Sequence, residues 1–465
     1  MVLAAGQGTR FHSDLAKVLH PVAGRTMLRW VLEALRPLGL DRVVLVVGHQ
    51  AEAVTAEAEN ADLDGLVAVV QAEQRGTGHA VRTAVEAGAL DGVDAVLVAP
   101  GDAPLLTSEC LRALLDQHTL GATMLVTELG DPTGYGRVLR DADGRVERIV
   151  EQRDATQAQR DVREVGTSIY VFDRDALVGA LPRLSRDNAQ GAEYLTDVVE
   201  ELAGVGVGTV AAPPGEVAGV NDRAQLAAAG AVLTRRVLDG LMRSGVTVVD
   251  PGTTYVGAEV SVAPDAVLLP GTHLEGRTTV ASGATIGPDT RVVDSAVAED
   301  AKVTYSVLLG ASVGRGATVG PFAYLRPGAR LEAGSKVGTF VEVKGSVIGE
   351  GSKVPHLSYI GDTTIGRDAN VGAATVTVNY DGYEKHRTVI GDGAHVGSDT
   401  MLVAPVTIGA GAVTGAGSVI TKDVPDGALA VERTEQRVIP GYAERKRARQ
   451  ASKVETPDSQ APNPG

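Results

Sequence analysis

At 465 residues the chain is too long for a single hydrophobic core, and two or three domains are expected. A net charge of −15 argues against a nonspecific nucleic-acid or membrane surface, and the lone Cys110 excludes an internal disulfide and a cysteine-rich metal site. With no signal-like opening and no apolar run of about 18 residues, the expectation is a cytoplasmic protein with no stable membrane association.

Residues 1–223 alternate short apolar runs with helical patterns. VLAAG at the start, RVVLVVG at 42–48, LVAVVQ at 66–71 and AVLVAPGD at 95–102 read as buried strands. Met27–Leu38 and Gly78–Ala89 between them read as amphipathic helices, so the spacing predicts a mostly parallel sheet covered on both faces. The Ala- and Leu-rich stretch 224–244 predicts a helix, and 224–249 is read as a connecting arm. From 250 to 433 the pattern changes to a period of six. Val313, Val319, Leu325, Leu331 and Val337 keep the register, then Val354 and Ile360, then Ile390, Val396, Leu402 and Ile408, followed by Thr414 and Ile420. The next residue is often glycine, as at 287, 314, 320, 338, 361, 372, 397 and 409. Six fits neither a 3.6-residue helix nor one long strand; it fits short strands and turns stacked in a left-handed parallel β-helix, with the aliphatic inside and the glycine relaxing the corner. Residues 434–465 are polar and proline-rich, and are expected to be mostly disordered.

The first chemical signal is LAAGQGTR at 3–10, a glycine-paired loop closing the first strand. Its backbone N–H groups suit a phosphate, with Arg10 and Lys17 as counter-charges. The G-x-G-x-x-G spacing of a dinucleotide loop and the closing Gly-Lys-Ser/Thr of a Walker A loop are both missing. Asp102 follows a strand at the sheet edge where ligands bind, and Asn221 is a second hard oxygen for magnesium. Gln71 and Gly76-Thr77-Gly78 suit a base edge, and Glu151 suits sugar hydroxyls. Together these residues point to nucleotidyl transfer from a nucleoside triphosphate to a sugar-1-phosphate. In the solenoid, Arg326 and Lys344 suit a sugar phosphate, while Tyr359 and Asn370 offer hydrogen bonds. His356 stands between Lys344 and Tyr359; His273, His386 and His395 are read as surface residues. The segment Thr377–Arg387 interrupts the hexads.

With LAAGQGTR at 3–10, KVLH at 17–20, QAEQRGTGHA at 71–80, DPTGYGR at 131–137, NAQGAEYLTD at 188–197, LRPGA at 325–329, FVEVK at 340–344 and NYDG at 379–382, the chain resembles the bacterial bifunctional UDP-N-acetylglucosamine pyrophosphorylase/glucosamine-1-phosphate N-acetyltransferase family from Met1 to about Arg433. The resemblance implies a Rossmann-like nucleotidyltransferase domain at 1–223, the arm at 224–249, a left-handed β-helix acetyltransferase domain at 250–433, and a homotrimer. It implies Mg²⁺ as cofactor with UTP and acetyl-CoA as co-substrates, acetylation preceding uridylylation, and a product used in cell-wall precursor synthesis. Residue by residue it assigns Leu3, Ala4, Ala5, Gly6, Gly8, Lys17, Gln71, Gly76 and Thr77 to UTP, with Lys17 and Arg10 on the phosphates. Asp102 and Asn221 become the magnesium ligands, and Gly136, Glu151, Gly166 and Asn221 the binders of N-acetylglucosamine-1-phosphate. In the solenoid it makes His356 the general base and gives glucosamine-1-phosphate to Arg326, Lys344, Tyr359 and Asn370. Acetyl-CoA falls to Ala373, Asn379, Tyr380, Ser398, Ala416 and Arg433. Three departures stand out. Ala16 replaces the proline usual before the lysine of K-V-L-H, Gly166 an asparagine usual in the segment EVGTS, and Ala374 a glycine. The enzymatic alternative is a monofunctional nucleotidyltransferase with a structural β-helix.

Overall fold

The structure, a computed structural model, describes residues 1–119 and 121–454. It comprises two compact units, Met1–Pro321 and Phe322–Gly465.

The first unit opens with a nine-stranded sheet. The four expected strands form at Val2–Ala4, Val43–Val47, Leu66–Val70 and Ala95–Pro100. They pair in parallel in the order 95–100, 2–4, 43–47, 66–70, so their C-terminal ends share one edge. Alternate side chains leave for opposite faces. Val44 and Val46 enter one core, and Leu45 and Val47 enter the other. The rest of the sheet departs from the expected, mostly parallel pattern. Glu164–Asp173 runs antiparallel to both Ala95–Pro100 and Ala122–Glu128, and also carries the hairpin of Gly136–Arg140 with Val146–Val150. Only Gly136–Arg140 and Val146–Val150 are joined directly by a short turn, the connection that antiparallel neighbours allow. The helix begun at Met27 is capped by Thr26, whose hydroxyl accepts from Arg29 N at 3.0 Å. Its expected last turn winds instead as a 3-10 helix, Arg36–Leu38, which contains Pro37.

The expected arm is the helix Arg223–Arg243, capped by Asp222. It is not a free spacer. Ala229 and Leu233 are buried in a cluster with Phe11, Val22, Met27 and Leu105. The turn of the hairpin Pro21–Thr26 also docks on the first coil of the solenoid. There Ala258 N donates to Ala23 O at 3.1 Å, and Arg25 pairs with Glu259 at 2.5 Å. A Cβ on Gly24 would lie 2.8 Å from Gly257 Cα, so a side chain there would part the two backbones. The compact division therefore differs from the boundaries suggested by the sequence: the arm and the first coils belong with the α/β body.

The repeats form parallel β-helical coils in both units. In the first, Thr247–Val248 stacks under Val267–Leu268, Thr285–Ile286, Lys302–Val303 and Thr318–Val319. In the second, one ladder runs through Lys336–Thr339, Lys353–His356, Asn370–Val371, His395–Val396 and Val413–Thr414. A second ladder runs through Tyr324–Leu325, Glu342–Lys344, Tyr359–Gly361, Val376–Val378 and Met401–Val403. All the hexad residues named above are at most 4% exposed. Each large aliphatic so buried contributes on the order of 1.5–3 kcal/mol.

Of the glycines after the aliphatics, Gly287 (φ 104°) and Gly320 (φ 100°) take the left-handed backbone expected of them, while others have a different physical reason. Gly338, Gly361, Gly372, Gly397 and Gly409 do not have positive φ. A Cβ on Gly338 would lie 2.0 Å from Pro355 O, and one on Gly372 would lie 2.5 Å from Ser398 N. Close approach of the next coil, rather than corner relaxation, selects them. Left-handed corners are held by other residues, among them Asp289, Asp294, Asp300, Asp362 and Asp368. Asp and Asn visit this region most readily among non-glycine residues.

In the tail, Tyr442–Val454 is a helix where disorder was expected, and 455–465 lie outside the described residues. Ala, Arg, Lys, Gln and Glu dominate this stretch, and all are strong helix formers. Among the described residues no helix is long and apolar enough to cross a membrane.

Candidate functional site

At the shared C-terminal edge of the parallel strands, the loop after Val2–Ala4 and the turn after Ala95–Pro100 enclose a cavity of about 230 Å³. Leu3, Ala4, Gly6, Gly8, Thr9, Arg10, Lys17, Asp102 and Asn221 line it. Residues up to 218 positions apart in sequence, Leu3 and Asn221, thus line one cavity. The Lys17 ammonium forms an ion pair with Asp102 and donates to Asn221 Oδ1 at 3.0 Å; Arg10 donates to the same oxygen at 2.8 Å. Gly8 (φ 68°) is required twice, by its left-handed backbone and because a Cβ would lie 2.6 Å from Lys17 Cβ. Ala16 precedes Lys17 with φ −54°, a proline-compatible value, and its N–H donates to Gln50 Oε1 at 2.9 Å. The amide that proline would lack here fixes the lysine segment, which accounts for the departure at Ala16.

The remaining residues expected to meet nucleotide and sugar stand outside the lining of this cavity. Gln71, 4% exposed, uses its carboxamide nitrogen on Gly76 O at 3.1 Å and on His79 Nδ1 at 2.9 Å. Thr77 Oγ1 accepts from Leu195 N at 2.9 Å. Ala5 O accepts from Gln74 Nε2 at 2.6 Å, which ties the glycine loop to the 71–77 loop. Gln74 was not foreseen, because an amide in a loop carries no pattern of its own. Gly136 and Gly166 face each other across antiparallel strands, and both turn toward Ile149. Glu151 Oε1 accepts from Thr196 Oγ1 at 3.1 Å, and burial raises the Glu151 pKa. Asp197, also unforeseen, is pushed up to about 6 by burial and by the charges of Glu151, Glu200 and Asp154.

The second unit gathers its residues at two corners. At one, Arg326 pairs with Glu342 at 2.9 Å, Lys344 with Asp362 at 2.9 Å, and Asn379 Nδ2 donates to Asp362 at 2.6 Å. A Cβ on Gly361 would lie 2.5 Å from the Tyr359 hydroxyl and 2.7 Å from Asn379 Nδ2, so Tyr359 folds over this glycine toward Asn379. Lys385, on the loop that interrupts the hexads, belongs here too. A hydrogen bond with Lys344 and that residue's charge hold its pKa below the ordinary lysine range. Sequence reasoning marked the interruption but missed the lysine. The other corner carries His356, exposed at the end of its strand. Ala373, Ser398 and Ala416 occupy this corner on successive coils. Asp399 N donates to Ala373 O at 2.7 Å and Gly417 N to Ser398 O at 2.9 Å, while Arg433 donates to Ala416 O at 2.9 Å. Asn370 lies in the ladder with Lys353 and His395, apart from Arg326 and Lys344. Tyr380 is exposed on the loop and donates to Gly382 O at 2.6 Å. Ala374 has φ 61°, so its departure from glycine places a side chain in a left-handed conformation.

A glycine-loop α/β domain with a cationic cavity, followed by hexad coils, defines a nucleotidyltransferase fused to a hexapeptide-repeat transferase solenoid. The MobA-like NTP transferase domain matches residues 1–202, and the bacterial transferase hexapeptide (six repeats) matches 387–422. The chain is 54% identical to the bifunctional protein GlmU of Thermobifida fusca over 456 residues, 96% of this chain and 94% of that protein. It is 52% identical to that of Streptomyces coelicolor over the same shares, and 47% identical to that of Corynebacterium glutamicum (strain R) over 96% and 94%. The chain belongs to the bifunctional GlmU family, and is a bifunctional acetyltransferase and uridylyltransferase.

Proposed function

We propose that the α/β cavity joins UTP to N-acetylglucosamine-1-phosphate with release of pyrophosphate, and that the solenoid first makes that sugar by acetylating glucosamine-1-phosphate. The observation that carries the first half is the convergence of Arg10, Lys17, Asp102 and Asn221 beside the glycine loop. A sugar phosphate is already anionic and needs no strong base; holding two polyanions in line is the difficulty, which Arg10, Lys17 and the loop amides address. Among the described residues no group of three or more His, Cys, Asp or Glu side chains is placed to hold a metal ion. Asp102 and Asn221 fit magnesium in a different way: both present oxygen to one cationic nitrogen, and two protein oxygens suit an ion that keeps water and phosphate ligands. Held by these two residues, Mg²⁺ would neutralise the triphosphate and polarise the α-phosphorus. Gln71, Gly76 and Thr77 face the uracil, and Glu151, Gly136 and Gly166 the amino sugar.

In the solenoid, Arg326, Lys344 and Lys385 hold the sugar phosphate, and a bound dianion relieves the repulsion between the two lysines. The neutral amine attacks the thioester carbonyl, His356 takes the amine proton, and the CoA thiol leaves. Ala373, Ser398, Ala416 and Arg433 line the acetyl-CoA path. Within one chain the phosphate corner and the His356 corner lie at opposite ends of the Tyr359–Gly361 strand. The site is therefore completed between subunits of a homotrimer. The exposed rings of Phe322 and Phe340, stacked at 5.4 Å, and Leu357 support a contact beside His356.

The test is a pair of assays on one preparation, with its mass read by light scattering. Sugar-dependent thiol release from acetyl-CoA, UTP-preferring pyrophosphate release and a trimer mass are expected. A preference for ATP or GTP would sink the base assignment, and a fully active monomer would sink the shared site.

A further inference from the structure

The segment that follows the loop 185–192 bonds both the 75–78 loop and Glu151. Glu193 N donates to Arg75 O at 2.8 Å, and Gly78 N donates back to Glu193 O at 2.8 Å. Gly76 crosses so near that a Cβ there would lie 2.3 Å from Glu193 O. Two residues on, Leu195 N donates to Thr77 Oγ1 at 2.9 Å, and Thr196 Oγ1 then donates to Glu151 Oε1 at 3.1 Å. Four residues, Glu193–Thr196, thus connect the loop read as the uracil site with the carboxylate read as the sugar site. The anchor is ionic and buried. The Glu193 residue is 3% exposed, and its carboxylate receives Arg82 Nη2 at 2.9 Å and Arg186 Nη2 at 2.6 Å. Neither arginine lines the cavity. Two guanidinium groups closing on one buried carboxylate fix a backbone in place, because withdrawing either leaves charge uncompensated.

We propose that Glu193–Thr196 is a strap coupling the nucleotide and sugar subsites, with Glu193 as the positioning residue that anchors it. The inference rests on the assignment of 71–77 to uracil and Glu151 to sugar. A base that seats against Gly76 and Thr77 orders the strap, which sets the Thr196 hydroxyl on Glu151 and so readies the sugar carboxylate. By linkage the sugar phosphate favours UTP to the same degree.

The experiment is two-substrate steady-state kinetics of uridylyltransfer on the full chain, with acetyltransfer as the check on folding. Glu193→Gln keeps the backbone contacts and removes the charge that holds the arginines. It is expected to raise both KM values together, about 5- to 10-fold, with kcat within about twofold, and to abolish the fall in sugar KM at saturating UTP. Thr196→Val should raise the sugar KM alone, about threefold. Should Glu193→Gln fold poorly, Arg186→Met is expected to give the same paired rise at smaller size. Gln71→Ala and Glu151→Ala separate the two levels of the argument. If each raises the KM of its own substrate while Glu193→Gln and Arg186→Met move neither KM, the strap is overturned and the subsites stand. If the two controls leave both KM values unchanged, the subsite assignment fails and the coupling fails with it.

Discussion

The two halves of this chain assemble chemistry in opposite ways. In the α/β domain, loops from one sheet edge and the 220–222 turn bring Arg10, Lys17, Asp102 and Asn221 into a single cavity. In the solenoid, residues 16 to 18 positions apart stack coil on coil, and the functional groups divide between two corners. A sheet edge covered by loops can close a site within one chain. Stacked coils instead set their side chains out along corners, one rung above another.

This contrast can be broken by variants expected to silence one activity and spare the other. His356→Ala should lose about 10²–10⁴-fold in acetyltransfer, the range for a positioned acid-base group, while uridylyltransfer is unchanged. Thiol release near the unaltered rate would remove His356 as the base. Asp102→Ala should cost uridylyltransfer about 10²–10³-fold by removing charge that organises the triphosphate, with acetyltransfer intact. Loss of both activities in a folded protein would argue that the halves are not independent. Lys385→Met sharpens the division of corners. The KM for glucosamine-1-phosphate should rise about 10-fold, as expected for one charge-assisted contact, with little change in kcat. An unchanged KM would place the lysine outside the phosphate site.

Two smaller effects concern stability. Asp197 has a folded pKa of about 6, above its ordinary value of 3.8, so the folded state binds this proton more tightly than the unfolded chain. The stabilisation from that proton is complete below about pH 4 and is lost as pH rises through about 6. Asp197→Asn, with no charge to bury, should therefore melt higher than the unaltered protein at pH 8, by on the order of 1 kcal/mol after allowance for solvent screening, and match it near pH 4. An equal shift at both pH values would assign the effect to packing. Ala374→Gly, relieving a φ of 61°, should stabilise by roughly 0.5–1 kcal/mol, read from a denaturant midpoint. A destabilised variant would show that the methyl makes a contact worth more than the strain.

Much of the candidate site was legible because chemistry and position coincided. Lys17 and Arg10 flank a glycine loop, and Asp102 ends an apolar strand, so each carried a local pattern. Gln74, Glu193 and Asp197 stand in stretches that carried the family resemblance, yet like Lys385 they were given no role by it. Their importance comes from carbonyls, guanidinium groups and an amine reached only after the chain folds back. Ala16 shows the reverse case. It read as a loss of proline, and the structure reveals an N–H bonded to Gln50, 34 residues away.

By itself the sequence determined the periodicities: apolar runs between helices in the first half, and every sixth residue inside the coils in the second. Those follow from local geometry, since the alternation of a strand and the six-residue rung are properties of the backbone and of burial. The glycines of the coils were legible as a pattern, while the cause at Gly338, Gly372, Gly397 and Gly409, the backbone of the next coil about 2–3 Å from a would-be Cβ, was not. Only the tertiary structure decided that the sheet is mixed, that the arm packs with the α/β body, and that Leu195 and Thr196, side by side, bond Thr77 and Glu151. Each of these depends on contacts between residues tens to hundreds of positions apart. The free energy of such a contact is set by shape and charge at the meeting point, which no local stretch of sequence encodes.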